Sequence, residues 1–455
     1  MTHFIFYDLE TSGLNKMFDQ IFQFAAVLTD SNLNIIDGFE IRSRRMPHIV
    51  PNPGALLVTG VKPAAIDQAE FSYYEFSTNI RNKLLDWSPA IISGYNTISF
   101  DEPFLRSLFY QNLYPPYLTQ TNGNSRLDVL PLVRAAEHLY PGLMHYPVNE
   151  KGKTSKRLED VAPSNGFETH NAHDAMGDVL ATIHLAKIVK NSATLLWEKA
   201  IAATSRPAFN GLLGQKAPLI IHDYNNDWPV TFPAFEIGKV DGGRNTLFFD
   251  LRRDPKCVDL TNPEACFSGR LRPFRLCKDS EIPLTFTLEE WSTLKLDVSF
   301  DEKLVEQQSQ ILQSTVIFEE VVVAFNKTRK SFEISDHVEA QIYDDFHAFN
   351  DERWLINDFH AADPELKIAL VNRFKDRRFK TIAQRIVYEN CRDFIPLEKL
   401  LEYDNRVKNR MHIEDDVPWT TVSKAISECD VLQKRNSTKS DEINNIKQYL
   451  NRLGI

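Results

Sequence analysis

Cysteine is scarce in this chain and is not arranged as a framework. Five residues, Cys257, Cys266, Cys277, Cys391 and Cys429, are scattered over the second half of 455 residues. None stands in a C-x-x-C pair, which argues against the common zinc motifs, and a sparse odd set argues against a disulfide scaffold. Long apolar runs are also missing. No stretch reaches the roughly 18 residues that would span a bilayer. The first residues run straight into a strand-like segment, with no basic region, apolar core or cleavage site of a leader. A reducing cytoplasm with no membrane partner is the expectation. No internal repeat or low-complexity segment is present. Excess positive charge is lacking too: 52 Lys and Arg against 62 Asp and Glu give a net charge of −10. That balance disfavours nucleic-acid binding over the whole surface, yet leaves room for a local basic groove or for an acidic cluster that holds cations.

What is present is a chain too long for one core, with ordinary apolar (43%) and charged (25%) fractions, so two or three globular domains are expected. Residues 1–195 alternate strand and helix patterns. FIFYDLE (4–10), QFAAVLTD (23–30) and IIDGFEIRSR (35–44) follow at hairpin spacing, and AIISGYN (90–96) reads as a buried strand. Phe76, Ile80, Leu84 and Trp87 recur at helical spacing, residues 101–113 and 127–139 read as helices, and a further helix runs from a cap at Asn171 to about Lys190. The pattern predicts a mixed sheet with flanking helices. A linker helix over 195–213 leads to short apolar and β-branched runs, PLIIHDY, TLFFDL, PLTFTL and TVIFEEVVVAF. These predict a mostly β domain over 196–341. Residues 342–455 read as helical.

The chemistry lies in a few carboxylates. Asp8 and Glu10 stand two apart at the end of the first strand, so their side chains leave the same face. Two converging carboxylates make a poor core and a good site for Mg²⁺ or Mn²⁺, which prefer oxygen ligands. An isolated D-x-E is nevertheless most often a solvated pair. Asp101 follows the GYNTISF turn at a helix start, where a capping role is the ordinary reading. His173 and Asp178 lie in NAHDAMGDV. Five residues of helix rotate through roughly 500°, so the pair shares a cleft only if His173 sits at the loop-to-helix junction. Asp178 falls on a stripe with Val179 and Ile183, where an unpaired carboxylate is costly and a metal would remove the cost. Taken together, four carboxylates and one histidine suit two-metal phosphodiester hydrolysis, with the histidine taking the proton from water.

In this order and spacing the residues resemble the DEDDh exonuclease superfamily. The segments PNPGALLVTGVKP (51–63), SGYNTISFDEPFLRSLFY (93–110), NSRLDVLPLVRA (124–135), the run from Lys156 to Lys190 and VEAQIYDDF (338–346) are similar to the bacterial exodeoxyribonuclease I family within it. The likeness is dense over the first domain and sparse beyond it. It implies an RNase H-like α/β nuclease domain, an SH3-like β domain that binds DNA, and a helical C-terminal domain. It implies 3′→5′ degradation of single-stranded DNA to mononucleotides by a monomer with two Mg²⁺ ions, Mn²⁺ substituting, in DNA repair and recombination. It implies Asp8, Glu10 and Asp178 as metal ligands, Asp101 completing the carboxylate set and His173 as general base. Arg157 would hold the scissile phosphate, and Thr59 and Gly60 would approach the terminal nucleotide. Asn96, Arg106, Tyr117 and Arg134 would contact the strand. Thr121 and Tyr140 depart from the family pattern, which has Trp and Arg there. The family also binds the acidic C-terminal tail of single-stranded-DNA-binding protein, and the sequence offers no location for that contact.

Basic and aromatic residues interleave at Arg106, Phe109, Tyr110, Tyr114, Tyr117, Arg126 and Arg134, at Arg270, Arg272, Phe274 and Arg275, and from Lys367 to Lys380. Such runs either line a positive, base-stacking channel or are exposed faces over a core. Three other functions compete: an exoribonuclease with the same residues, a non-catalytic single-strand-binding scaffold, and an HD phosphohydrolase built on His173 and Asp174. The last leaves Asp8, Glu10 and Asp101 without a use.

Overall fold

The computed structural model describes residues 2–148, 152–167, 174–223, 230–269, 272–296, 300–315, 318–329, 334–344, 348–435 and 437–453. The N-terminal region holds β1 (Phe4–Thr11), β2 (Ile21–Thr29), β3 (Ile35–Arg42), α1 (Pro53–Thr59), α2 (Pro63–Asp67), α3 (Tyr73–Asp86), β4 (Ile91–Gly94), α4 (Asp101–Tyr110), β5 (Ser125–Asp128), α5 (Val129–Leu139), α6 (Leu158–Ser164) and α7 (Ala175–Ser192). The five strands form one sheet in the order β3-β2-β1-β4-β5. β1 pairs antiparallel with β2 and parallel with β4, so the sheet is mixed as expected. Local signals account for the elements. Ser72 and Glu75 form a capping box that starts α3, and Phe76, Ile80 and Leu84 on its inward stripe are at most 1% exposed. Asn171, the expected cap of α7, lies outside the described residues.

The chain forms two compact units, neither continuous in sequence. The first comprises Met1–Arg126, Thr169–Ile183 and Ile334–Ile455; the second comprises Leu127–Glu168 and His184–Glu333. In the first unit, one core lies under β1, β2, α3 and α4, with Ile5, Phe24, Phe76, Phe104 and Leu108. A second joins Tyr110 and Leu113 to Ile356, Phe359, Phe379 and Ile386 of the C-terminal helices. A third joins Phe22, Leu56 and Leu57 to Ala425, Cys429, Ile446 and Leu450. The helical reading of residues beyond 342 agrees with helices from Ala348 to Arg452.

In the second unit a five-stranded antiparallel sheet runs β10-β6-β7-β8-β9, from β6 (Leu219–Asp223), β7 (Val230–Val240), β8 (Asn245–Asp250), β9 (Phe274–Lys278) and β10 (Leu284–Thr287). The expectation of strand through TVIFEEVVVAF is overturned. Glu302–Thr315 and Phe318–Lys327 are helices. Phe318, Val321, Val322 and Phe325 recur at i, i+3, i+4 and i+7, and all four contribute to the core beside Leu247 and Phe249. The helical period overrode β-branched propensity, because burying that stripe outweighs a few tenths of a kcal/mol per valine. Among the described residues no helix is long and apolar enough to cross a membrane.

Candidate active site

β1 is the spine of the site. Its parallel register with β4 runs from Phe4↔Ile91 to Phe6↔Ser93 and stops there. Asp8 and Glu10 therefore project beyond the C-terminal end of β4, the edge at which open α/β sheets form ligand crevices. On the other side they face Ala25 and Gln23 of β2, and the register shifts between Glu10 and Thr11. Such an irregularity re-aims side chains at the end of a strand.

Two helices bring the remaining acids. α4 opens at Asp101, which is 3% exposed. The loop before it turns at Asn96, whose φ of 64° is left-handed and whose Oδ1 accepts a 2.7 Å bond from the Ser99 hydroxyl. α7 carries Asp178 in its first turn. One carboxylate oxygen from each of Asp8, Glu10 and Asp178 lies within 4.8 Å of the others. Asp101 stands outside that triple but close enough to bear on its charge. Burial raises Asp8 well above the ordinary carboxylate range, and Asp101, Asp178, Glu10 and Asp174 each push it further. Burial likewise raises Glu10 to about 9, helped by Asp178, Asp101 and Asp174. Every influence on the two acids acts in one direction. A cluster of hard oxygen donors that raise one another fits one or two divalent cations, and it does not fit a soft metal.

Asp174 is the member that the sequence reading used only for the HD alternative. Its Oδ1 accepts from Gln23 Nε2 at 3.0 Å, and Arg42 stands 3.7 Å away. Gln23 also donates to Glu40 at 3.0 Å. One turn of helix separates Asp174 from Asp178, and that i, i+4 spacing was the available signal. Gln23 had none, because its place follows from the Glu10↔Gln23 strand pairing. His173 lies outside the described residues, as does His170.

Thr59 ends α1, and Gly60 caps it with a left-handed φ of 65°. Both line a cavity of about 570 Å³ that also touches Gln23, Arg42, Asp174 and Lys439. Arg106, on α4, is held by Glu102 at 2.9 Å and lies over the Tyr117 ring at 5.1 Å. Glu102, 2% exposed, also takes Arg126 and the Thr119 hydroxyl. Phe109, Tyr110 and Tyr114 are 1%, 1% and 6% exposed, so these three rings of the interleaved run are core rather than stacking surface. In the second unit Arg157 precedes α6, largely exposed and paired with Glu159. Arg134 is half-buried on α5. The basic runs elsewhere divide similarly: Phe274, Phe374 and Phe379 are buried, Arg275 pairs with Asp250, and Arg378 pairs with Asp376.

Residues 5–186 match the exonuclease family model described for RNase T. The chain is 39% identical over 198 residues to exodeoxyribonuclease I of Buchnera aphidicola subsp. Acyrthosiphon pisum, covering 43% of this chain and 48% of that protein. The match thus spans about half the length of that relative. It is 30% identical over 443 residues to exodeoxyribonuclease I of Escherichia coli K12, covering 89% of each. It superposes on the crystal structure of E. coli Exonuclease I in complex with a dT13 oligonucleotide with a TM-score of 0.83 at 25% identity, over 100% of both chains. It superposes on a structure of SSB/Exonuclease I with the inhibitor CFAM with a TM-score of 0.80 at 25% identity, again over 100% of both. The fold is thus that of an exonuclease. The chain belongs to the exodeoxyribonuclease I family.

Proposed function

We propose that this protein removes mononucleotides from the 3′ end of single-stranded DNA by metal-dependent phosphodiester hydrolysis, in DNA repair and recombination. The observation that carries the reading is the convergence of Asp8, Glu10 and Asp178, with Asp101 beside it, in a chain of this family. Asp8, Glu10 and Asp178 would hold Mg²⁺, or Mn²⁺ in its place. Two such ions, when bound, neutralise charge on the scissile phosphate and lower the pKa of water. Asp101 would complete the carboxylate set. His173 is assigned the proton from the attacking water on the family resemblance alone.

Thr59 and Gly60 border the terminal nucleotide, Asn96 shapes the loop that delivers Asp101, and Arg106, Tyr117, Arg134 and Arg157 contact the strand or its phosphates. By segment, 1–195 is the nuclease, 196–341 the DNA-binding β region and 342–455 the helical region. We further propose a cytoplasmic monomer that engages the acidic tail of single-stranded-DNA-binding protein. A solved structure pairing SSB with Exonuclease I supports that partner.

The test is a 5′-labelled oligothymidylate incubated with the full chain and Mg²⁺. Stepwise shortening from the 3′ end with release of dTMP is expected, abolished by EDTA and by Asp8→Ala. An RNA oligomer of equal length degraded faster than DNA would replace this reading with an exoribonuclease. Binding with no turnover under either metal would leave a scaffold.

A further inference from the structure

Gln23 is a polar side chain buried to 3% exposure on β2, a strand whose nine residues are all buried. Such a group stays inside when its hydrogen bonds are met. Its Nε2 donates to Asp174 Oδ1 and to Glu40 Oε1, each at 3.0 Å. The strand registers explain the placement. Glu10 pairs with Gln23 and Gln23 with Arg42, so these three side chains leave one face of the sheet in one row. Asp8, Ala25 and Glu40 form the next row on that face. Gln23 thus stands beside a carboxylate of the cluster and reaches across to the residue before α7. Arg42 braces the contact, 2.6 Å from Glu40 and 3.7 Å from Asp174.

The Asp174 carbonyl accepts from the Asp178 amide at 3.0 Å, so the hydrogen-bond ladder of α7 begins at Asp174. Four residues of helix rise about 6 Å. A small tilt at Asp174 therefore moves the Asp178 carboxylate, which has an oxygen within 4.8 Å of those of Asp8 and Glu10. An amide suits this task. It donates to a carboxylate without bringing a positive charge that would compete with a cation for the neighbouring oxygens. We infer that Gln23 is a positioning residue: through Asp174 it docks the first turn of α7 on β2 and sets the gap into which the cation fits. This rests on the metal-dependent exonuclease reading above. The competing role is that of a satisfied buried polar group, whose loss lowers stability and leaves the gap unchanged.

Four full-length proteins separate the roles: wild type, Gln23→Met, Asp174→Ala and the double variant. Mn²⁺ binding without DNA is read from the electron paramagnetic resonance of the free ion. Tm is measured beside it, with kcat and KM on dT12 over a range of Mg²⁺. Each single variant is expected to bind Mn²⁺ about tenfold more weakly and to need about tenfold more Mg²⁺ for half-maximal turnover. Excess Mg²⁺ should restore turnover, and KM for dT12 should not move. The double variant should bind no more weakly than the weaker single, because both changes remove one contact. Asp174, whose side chain is 36% exposed, carries the test if Gln23→Met fails to fold. Unchanged Mn²⁺ affinity, turnover lost at every Mg²⁺ concentration, or additive losses in the double variant would each overturn the inference. A wild type that binds Mn²⁺ but does not shorten dT12 would instead overturn the exonuclease reading.

Discussion

Each of the two sheets buries a carboxylate near a strand end, and they treat it in opposite ways. On the second sheet Asp250 is fully buried at the end of β8. Arg252 grips it with two bonds of 2.8 and 2.6 Å, and Arg275 adds a third at 3.1 Å. Burial pushes this carboxyl up, but Arg252 and then Arg275 more than offset it and the net shift is downward. On the first sheet burial raises Asp8 and Glu10, and neighbouring acids push both further. A carboxylate whose desolvation is balanced by arginine is part of the scaffold. One whose desolvation is left unbalanced at the end of a parallel strand marks where a cation belongs.

Breaking either cluster should show this contrast, with the largest effect on activity. Asp8→Ala should lower exonuclease turnover on the order of 10³-fold, the several kcal/mol that metal assistance supplies, while Tm stays level or rises. A steady-state assay paired with calorimetry reads both, and a large fall in Tm would contradict the unbalanced-charge account. Asp250→Ala should do the reverse. It strands Arg275 and half of Arg252, costs about 3 kcal/mol of stability and leaves kcat on short substrates largely intact.

The pH responses should have opposite signs. Glu10 titrates near 9 in the native chain against an ordinary 4.5. The folded state then holds the extra proton between those values, and stability without metal is lost as pH rises through that window. Asp250 is held below its ordinary 3.8. Its contribution is present above that value and is lost as pH falls below it. Thermal melts in EDTA from pH 5 to 9 should therefore slope downward for wild type and flatten for Glu10→Gln, with a gain of a few degrees at pH 8.5. A slope unchanged by Glu10→Gln would sink the assignment. The smallest effect is the increment in Tm from added Mg²⁺, which should be larger at pH 8.5 than at pH 6 because the ion displaces protons from the same oxygens.

Much of this was legible in the sequence, and the reasons differ by residue. The strand carrying Asp8 and Glu10 could be read because alternation fixes their common face. Asp101 could be placed at a helix start from the turn before it, and Asp178 within the helix that follows His173. Phe109, Tyr110 and Tyr114 were open between stacking surface and core, since composition is blind to which side of α4 the second core occupies. The Phe318–Phe325 helix was misread through attention to residue type over spacing. Gln23 depends on a pairing between distant strands, Glu10 with Gln23, and no local pattern encodes that.

The third core of the first unit sets an order on manufacture. Phe22, Leu56 and Leu57 are covered by Cys429, Ile446 and Leu450, some 400 positions later in the chain. At ~5–20 residues per second of synthesis, that cover arrives on the order of half a minute after the residues it protects. Until then the nuclease portion waits on the ribosome with an unclosed apolar face, and a chain ended before residue 420 would keep that face open for good.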